Sequence, residues 1–314
     1  MYHDNLIWKE RESLLPEEYR INETNQPVEL YMDWNKNKIH LDYYPNPEAR
    51  AKIILLHGVG GNGRVLSFVA VPLHKDGFEL IIPDLPGYGH SVVNKTKVVY
   101  SDWVKLTTDL IDLESKKDDR PIFVFGLSAG GMLAYHAAAQ NPKVKGIIAT
   151  NLLDQRNLQV RDYSSGNKVI SRVGVPLMKA FSKVWGGFML PMKAVANMKA
   201  IVNNTRMLKL LLADKTASGT KVPARFLISL LDAQPAVEPE DFQIPVLLVH
   251  PEFDEWTPVF ISRIFFDRIG SPKELKILEN AGHYPIERPA IDQLPQFVTD
   301  FINSLLHPKT SSDC

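Results

Sequence analysis

The sequence contains one cysteine, Cys314, at its last position, and its nine histidines are scattered along the chain. A single thiol cannot form a disulfide within the chain, a C-x-x-C redox pair or a cysteine-based metal site. Neither an H-x-H nor an H-E-x-x-H pattern occurs, so the histidine pairs that hold zinc in many enzymes are also lacking. We therefore predict no metal site and expect no cofactor.

The chain also lacks an excess of charge of one sign and long apolar runs. Its 36 Lys and Arg balance 36 Asp and Glu, so no overall field would attract nucleic acid, and we expect no nucleic-acid partner. No stretch approaches the ~18 uninterrupted apolar residues of a spanning helix. Residues 1–20 lack the basic start and apolar run of a signal peptide. Together with the single cysteine, these features favour a cytoplasmic protein.

The composition is that of an ordinary globular protein with a sizeable core. Hydrophobic residues make up 45% and charged residues 23% of the 314 residues. Proteins of the α/β class reach this length as one domain that carries an insertion. Residues 28–32 and 39–44 resemble strands on either side of the polar stretch 34–38, which predicts an antiparallel hairpin.

Further along the chain, short apolar runs alternate with Gly-rich turns and helical stretches. These runs cover residues 52–56, 78–82, 121–125, 144–150, 244–249 and 275–278. Strands that alternate with helices indicate a parallel sheet, and near-continuous apolar strands indicate that helices cover both of its faces. The fold class is therefore predicted to be α/β, with a mostly parallel twisted sheet flanked by helices.

This alternation breaks once, between residues 150 and 244. No strand-like run with a following Gly turn recurs there, and the segment has the character of several helices. We predict a helical cap, or lid, over residues 155–240, inserted into a catalytic domain that comprises residues 1–154 and 241–314. Residues 308–314 are expected to form a frayed tail.

The pentapeptide Gly126-Leu127-Ser128-Ala129-Gly130 has the G-x-S-x-G pattern. It follows an apolar run and precedes an Ala-rich stretch, which is the order strand, turn, helix. A sharp turn of this kind exposes its serine, and the flanking glycines allow the neighbouring backbone to pass closely. We predict that Ser128 is a nucleophile and that the amides at the start of the next helix favour developing negative charge.

An acid and a histidine follow in the order that such a serine needs. Asp254 comes just after the strand at 244–249, and His283 comes just after the strand at 275–278. Both positions lie at carboxyl ends of strands, where open α/β sheets bind ligands. We predict a catalytic triad of Ser128, His283 and Asp254, with Asp154 as the alternative acid because it follows the strand at 144–150.

The chain resembles the α/β-hydrolase superfamily, and more narrowly its lysophospholipase and monoacylglycerol-lipase-like serine esterases; metal-free acyl-homoserine lactonases are similar. The resemblance rests on these motifs: His57-Gly58, Asp84-Leu85-Pro86-Gly87-Tyr88-Gly89-His90-Ser91, Gly126 to Gly130, Asp254 with Pro258, and Gly282-His283. It implies an oxyanion hole made by the backbone amides of Val59 and Ala129. Substrate contacts are expected from His57, Gly58, Leu127, Met189, Met192 and Trp256.

Two motifs allow other interpretations. Residues 58–63 also fit the G-x-G-x-x-G fingerprint of dinucleotide-binding proteins, but that interpretation leaves the serine, acid and histidine without a role. Asp84 is expected to be structural, because its side chain can accept hydrogen bonds from amides of the turn at residues 85–89.

The predicted lid has a distinctive composition. It holds five of the eight methionines together with Phe181 and several other aromatic residues, and its thirteen Lys and Arg exceed its five Asp and Glu, a net charge of +8. Adaptable apolar side chains suit an acyl chain, and positive charge suits an anionic surface. We expect a small amphiphilic ester or lactone as the substrate and transient contact of the basic lid with a membrane surface.

The predicted function is hydrolysis of a carboxylic ester or lactone by a serine hydrolase that forms an acyl-enzyme. The alternatives are a cofactor-free lyase or perhydrolase that uses the same residues, and a catalytically silent ligand-binding protein of the same fold.

Overall fold

The computed structural model describes residues 1–180, 185–192 and 197–307. Phe181 of the predicted lid and the predicted tail at 308–314, which includes Cys314, lie outside these ranges.

Ten strands are described. They are β1 (Val28–Trp34), β2 (Asn37–Tyr44), β3 (Lys52–Leu56), β4 (Glu79–Pro83), β5 (Ile122–Gly126), β6 (Val144–Ala149), β7 (Met189–Pro191), β8 (Lys221–Pro223), β9 (Val246–Pro251) and β10 (Lys273–Leu278). Eight of them form one sheet in the order β1-β2-β4-β3-β5-β6-β9-β10. From β4 to β10 the neighbours pair in parallel, whereas β2 pairs antiparallel with both β1 and β4. The predicted mostly parallel sheet is confirmed.

Ten α-helices are described, some of which cover the two faces of this sheet. They are α1 (Leu6–Glu12), α2 (Ser67–Lys75), α3 (Tyr100–Ser115), α4 (Ala129–Ala138), α5 (Leu158–Ser164), α6 (Val175–Ala180), α7 (Thr205–Ala213), α8 (Ala224–Leu231), α9 (Val259–Phe266) and α10 (Ala290–Leu306). Side chains of α3, α4 and α9 pack into one hydrophobic core, and those of α2 and α10 pack into the other. Among the helices in the described ranges, none combines the length and the hydropathy that a membrane span requires.

The first hairpin is tighter than the sequence indicates. The sequence predicts a turn over residues 34–38, but the strands extend to Trp34 and begin again at Asn37. Asn35 and Lys36 alone make the turn, with φ of 46° and 62°. Two successive residues in the left-handed region give a turn whose twist matches that of the paired strands, so the hairpin keeps its full length.

The segment between β6 and β9 contains α5 to α8 and also a small antiparallel ribbon of β7 and β8. The sequence predicts only helices here. Each ribbon strand is three residues long and contains a proline, Pro191 or Pro223. Such short strands carry no two-residue alternation by which they could be recognised.

Asp84, at the end of β4, is fully buried and holds several segments together. Its carboxylate accepts hydrogen bonds from the amides of Gly63 and His90 and from the Tyr2 hydroxyl. It also lies 2.9 Å from His40 Nδ1. The residue is structural, but its amide partners are not in the turn at 85–89 as expected. Instead it fastens the start of the chain to the loop after β3.

Candidate active site

Ser128 occupies a sharp turn between β5 and α4, at the carboxyl edge of the sheet. Its φ and ψ of 54° and −124° are unusual for a residue with a side chain. The flanking glycines are required, because a Cβ on Gly126 would lie 1.9 Å from the carbonyl oxygen of Gly130. The Ser128 amide donates to Thr150 Oγ1 at 2.8 Å, which anchors the turn to the end of β6.

His283 and Asp254 reach Ser128 from the loops after β10 and β9. His283 Nε2 lies 2.8 Å from Ser128 Oγ, and His283 Nδ1 lies 2.7 Å from Asp254 Oδ2. Both side chains are buried, and the Trp256 ring lies against the imidazole with centroids 4.8 Å apart. The three side chains therefore form one continuous hydrogen-bonded chain, in which Asp254 fixes the orientation of the ring.

The Asp254 carboxylate is held in its ionised form by several donors. Burial opposes ionisation, but the electrostatic interaction with His283, the hydrogen bond to its ring and that from the Thr257 amide prevail, so the pKa of Asp254 lies well below its usual range. The amides of Trp256 and Thr257 donate to Oδ1, while the Thr257 hydroxyl and Asn151 Nδ2 donate to Oδ2. This carboxylate is fixed in both charge and direction.

Asp154, the alternative acid, has a different partner. Its carboxylate lies 2.8 Å from Arg156 Nη2 and also accepts from Arg156 Nε. The structure thus brings Asp254, and not Asp154, to His283.

The loop after β3 runs beside the turn that carries Ser128. His57 Nε2 accepts from the Leu85 amide at 3.0 Å, so His57 Nδ1 carries the proton and donates to the Gly58 carbonyl at 2.8 Å. Burial lowers the pKa of His57 to about 4, so the ring is neutral. Because N–H and C=O of a trans peptide point in opposite directions, this bond fixes the direction of the Val59 amide. Among the described residues, the amides of Val59 and Ala129 have no hydrogen-bond acceptor.

A largely apolar cavity of about 250 Å³ opens over Ser128 and His283. Val59 and Ala129 line it, as do Met192 and Trp256 among the predicted substrate contacts. Its remaining wall consists of Leu153, Gln155, Arg161, Ser164, Ser165, Gly174, Val175, Met178, Leu227, Leu230, Leu231 and Thr257. Most of this wall comes from the segment between β6 and β9.

Four residues expected to contact the substrate do not line this cavity: His57, Gly58, Leu127 and Met189. His57 is fully buried with both ring nitrogens bonded, and Leu127 packs into the core on the α2 side of the sheet. Gly58 lies behind the turn, where a Cβ would come within 3.0 Å of Ser128 Cβ. Met189 belongs to β7 and is partly buried. His57 and Gly58 thus support the turn from behind, and the contact of all four residues with a substrate stays a prediction.

The residues predicted to contact the substrate do not include the apolar wall that α8 supplies. Leu227, Leu230 and Leu231 recur at the spacing of one helix face, and this pattern could have indicated a lining helix. Asn151 and Thr257, which bond to the Asp254 carboxylate, carry no comparable pattern in the sequence.

A second cluster of ionisable groups lies near the start of the chain. Among the described residues, Glu29, His40 and Asp42 are the group whose ligand atoms come within 4.8 Å of one another. Arg64 forms ion pairs with both carboxylates, at 3.1 Å to Glu29 and 2.6 Å to Asp42. The cluster is a charge-balanced network that already uses its ligand atoms.

The family model Hydrolase_4, described as serine aminopeptidase, S33, matches residues 47–287. The chain belongs to this family. The match includes the whole parallel part of the sheet and all three residues of the hydrogen-bonded chain, so this hydrolase is of the serine type with an α/β-hydrolase fold.

Curated relatives and solved structures are consistent with this assignment. The hydrolase is 29% identical to a thermostable monoacylglycerol lipase from Bacillus sp. (strain H-257) over 99 residues, which are 32% of this chain and 39% of that lipase. It is 24% identical to an uncharacterized abhydrolase domain-containing protein from Dictyostelium discoideum, over 82% of this chain and 27% of that protein. The matches thus span well under two thirds of either relative.

The fold is similar to that of a soluble variant of monoglyceride lipase from Saccharomyces cerevisiae, with a TM-score of 0.76 and 16% identity over 90% of this hydrolase and 97% of that chain. At this identity the likeness concerns the fold alone.

Proposed function

We propose that the protein is a serine hydrolase that cleaves carboxylic ester or lactone bonds of amphiphilic acyl substrates. The observation that carries this proposal is the unbroken chain from Asp254 Oδ2 through His283 to Ser128 Oγ, with distances of 2.7 Å and 2.8 Å. A serine hydroxyl becomes a nucleophile when a neighbouring base accepts its proton and a third group orients that base.

In the proposed reaction, His283 takes the proton of Ser128 as the hydroxyl attacks the carbonyl carbon. Asp254 stabilises the imidazolium, and the amides of Val59 and Ala129 donate to the oxyanion. His283 then protonates the leaving oxygen, and a water molecule activated by the same histidine hydrolyses the acyl-enzyme. No step needs a cofactor.

The cavity wall supports the proposed substrate class. A wall that is almost entirely apolar suits an acyl chain, because each buried methylene contributes up to about 0.8 kcal/mol. The Bacillus relative is a monoacylglycerol lipase, which favours glycerol esters within the proposed class. Lactones with an acyl tail fit the same wall, and a panel of both substrate types will separate them.

We further propose that residues 155–240 act as the lid of this site. The segment supplies most of the cavity wall and carries the net charge of +8. Val169, Val173 and Leu177 recur at four-residue spacing and are exposed. Apolar side chains within a basic segment suit transient contact with an anionic bilayer, which flotation with anionic and with neutral vesicles would test.

A fluorophosphonate probe tests the proposed nucleophile, with mass spectrometry to locate the adduct. We expect the adduct on Ser128, no labelling of the Ser128→Ala variant, and an ester turnover reduced on the order of 10⁶-fold in that variant, as in a comparable serine hydrolase. The matched control is Ser165→Ala, because Ser165 also lines the cavity. It should label and turn over like the wild type.

Labelling of another serine, or a turnover in Ser128→Ala close to that of the wild type, would contradict the assignment. An aminoacyl anilide in the same panel tests whether amide bonds are cleaved as well.

A further inference from the structure

A second, smaller cavity adjoins the apolar one. It measures about 30 Å³, which is room for one water molecule or hydroxyl group. Its wall is Tyr100, Ala129, Met132, His136, Leu153, Asp154, Gln155, Leu230 and Ala233. Ala129, Leu153, Gln155 and Leu230 line both cavities, so the small cavity is a side pocket that begins beside the turn of Ser128.

Three buried polar atoms of this side pocket have no hydrogen-bond partner among the described residues: Tyr100 Oη, His136 Nε2 and Gln155 Oε1. Tyr100 is 2% and His136 is 4% exposed, so these atoms gain little from solvent. Buried polar atoms are almost always paired in folded proteins, and three unpaired ones in one small cavity indicate a missing polar group.

The contacts of these three side chains indicate what kind of polar group would bind there. The rings of Tyr100 and His136 have centroids 5.6 Å apart at 73°, and no hydrogen bond joins them. Gln155 Nε2 donates to Ser164 Oγ at 2.9 Å, which fixes the side chain and leaves Oε1 as an acceptor. A hydroxyl group can accept from Tyr100 and donate to Gln155 or His136 at the same time.

The side pocket suits a neutral group. Burial lowers the pKa of His136 to about 4, so its ring is uncharged at neutral pH. The one carboxylate in the wall, Asp154, is already paired with Arg156 at 2.8 Å. Neither a cation nor an anion would find an unpaired counter-charge.

We propose that Tyr100, His136 and Gln155 bind a free hydroxyl group on the alcohol part of the ester substrate. This inference rests on the proposed esterase function. The larger cavity is apolar and takes the acyl chain, so a hydroxylated alcohol needs a separate polar site, and the side pocket, which shares Ala129 with the larger cavity, is that site. The protein then prefers polyol esters over esters of simple alkanols with the same acyl chain.

The variant Tyr100→Phe tests this proposal on two octanoates, the glyceryl ester and the propyl ester. We expect kcat/KM to fall about five- to tenfold for the glyceryl ester, the size of one neutral hydrogen bond, and to stay unchanged for the propyl ester. The melting temperature should not fall, because Tyr100 Oη has no partner in the free protein.

The matched control is Tyr135→Phe. Tyr135 lies on α4 next to His136, and its hydroxyl donates to the Val237 carbonyl at 3.0 Å. We expect this variant to lose stability while the ratio of the two kcat/KM values remains that of the wild type.

Equal effects of Tyr100→Phe on both esters, as a bound water molecule would give, or no effect on either, would overturn the proposal. Failure of the proposed function is distinguishable, because the wild type would then hydrolyse neither ester. The pocket is still tested in that case by the binding of 1-O-octylglycerol, an ether that cannot be hydrolysed. Tyr100→Phe should weaken the binding of 1-O-octylglycerol five- to tenfold and leave the binding of octyl propyl ether unchanged. If the wild type and Tyr100→Phe bind 1-O-octylglycerol equally well, the proposed hydroxyl site is refuted.

Discussion

His57 acts on the site without lining it. Its Nδ1 proton holds the Gly58 carbonyl, its Nε2 accepts from Leu85, and the amide of Val59 points the opposite way as a result. A donor that is fixed before the reaction stabilises a developing oxyanion without any cost of reorientation. We therefore expect His57 to help stabilise the transition state and to contribute little to substrate binding.

Replacing His57 by leucine should lower kcat about 10- to 100-fold and change KM little, because the proposed oxyanion donor, the Val59 amide, loses its orientation. Steady-state kinetics with a chromogenic ester checks this. His57→Gln, which can donate to Gly58 and accept from Leu85 through its amide, should recover most of the activity. A rise in KM at constant kcat would instead indicate a role in binding.

Much at the residue scale could be predicted from the sequence. Ser128, Asp254 and His283 each follow an apolar run, and the carboxyl ends of parallel strands meet at one edge of a sheet. The supporting residues could not be predicted in the same way. Asn151 and Thr257 are 106 positions apart, and their hydrogen bond exists only because β6 and β9 are neighbours in the sheet.

At the scale of elements, α6 and α8 supply part of the apolar wall of the cavity, which is the proposed site of the acyl chain. Met178 of α6 and the leucines of α8 belong to this wall, and the two helices contact each other. The amphipathic pattern of α8 is visible in the sequence, whereas the pairing of β7 with β8 joins segments about 30 residues apart and is not. A helix whose apolar residues recur at regular spacing is therefore easier to predict than a ribbon whose two strands lie far apart in the sequence.

Filling the cavity from α6 should shift the chain-length preference. Met178→Trp is expected to lower the ratio of kcat/KM for a C12 ester to that for a C4 ester about tenfold, since two excluded methylenes cost roughly 1.6 kcal/mol. The matched control is Leu177→Trp on the same helix, where the side chain is exposed and does not line the cavity. A ratio equal to the wild-type value in Met178→Trp would place the acyl chain elsewhere.

At the scale of the whole molecule, two large hydrophobic cores and a buried charge network around His40 help to hold the described part of the chain together. His40 is central to the network, with Nε2 3.1 Å from Glu29 and Nδ1 2.9 Å from Asp84. Burial opposes protonation of the ring, but the hydrogen bonds to both carboxylates prevail and raise the pKa of His40 to about 9. A pKa raised on folding stabilises the protein below the unfolded value of about 6.5, and this stabilisation is lost as the pH rises through about 9.

The free energy of unfolding should therefore fall between pH 6.5 and pH 9 by up to about 3 kcal/mol more in the wild type than in His40→Gln. Urea denaturation at half-unit pH intervals measures this difference, and glutamine serves as the comparison because it does not titrate. Parallel pH profiles for the two proteins would contradict the proposed role of the His40 proton.

The turn at Ser128 has a consequence for how the protein can change. A non-glycine residue with a φ of 54° and a ψ of −124° costs on the order of 1–3 kcal/mol, which the packed glycines and the Thr150 bond must overcome. Selection for enzymatic turnover and selection for a more stable fold therefore act in opposite directions at Ser128. If catalysis were no longer selected, a change of this serine to glycine would relieve the backbone strain and let the protein tolerate other destabilising mutations. A natural variant that keeps the serine is therefore expected to use its hydroxyl.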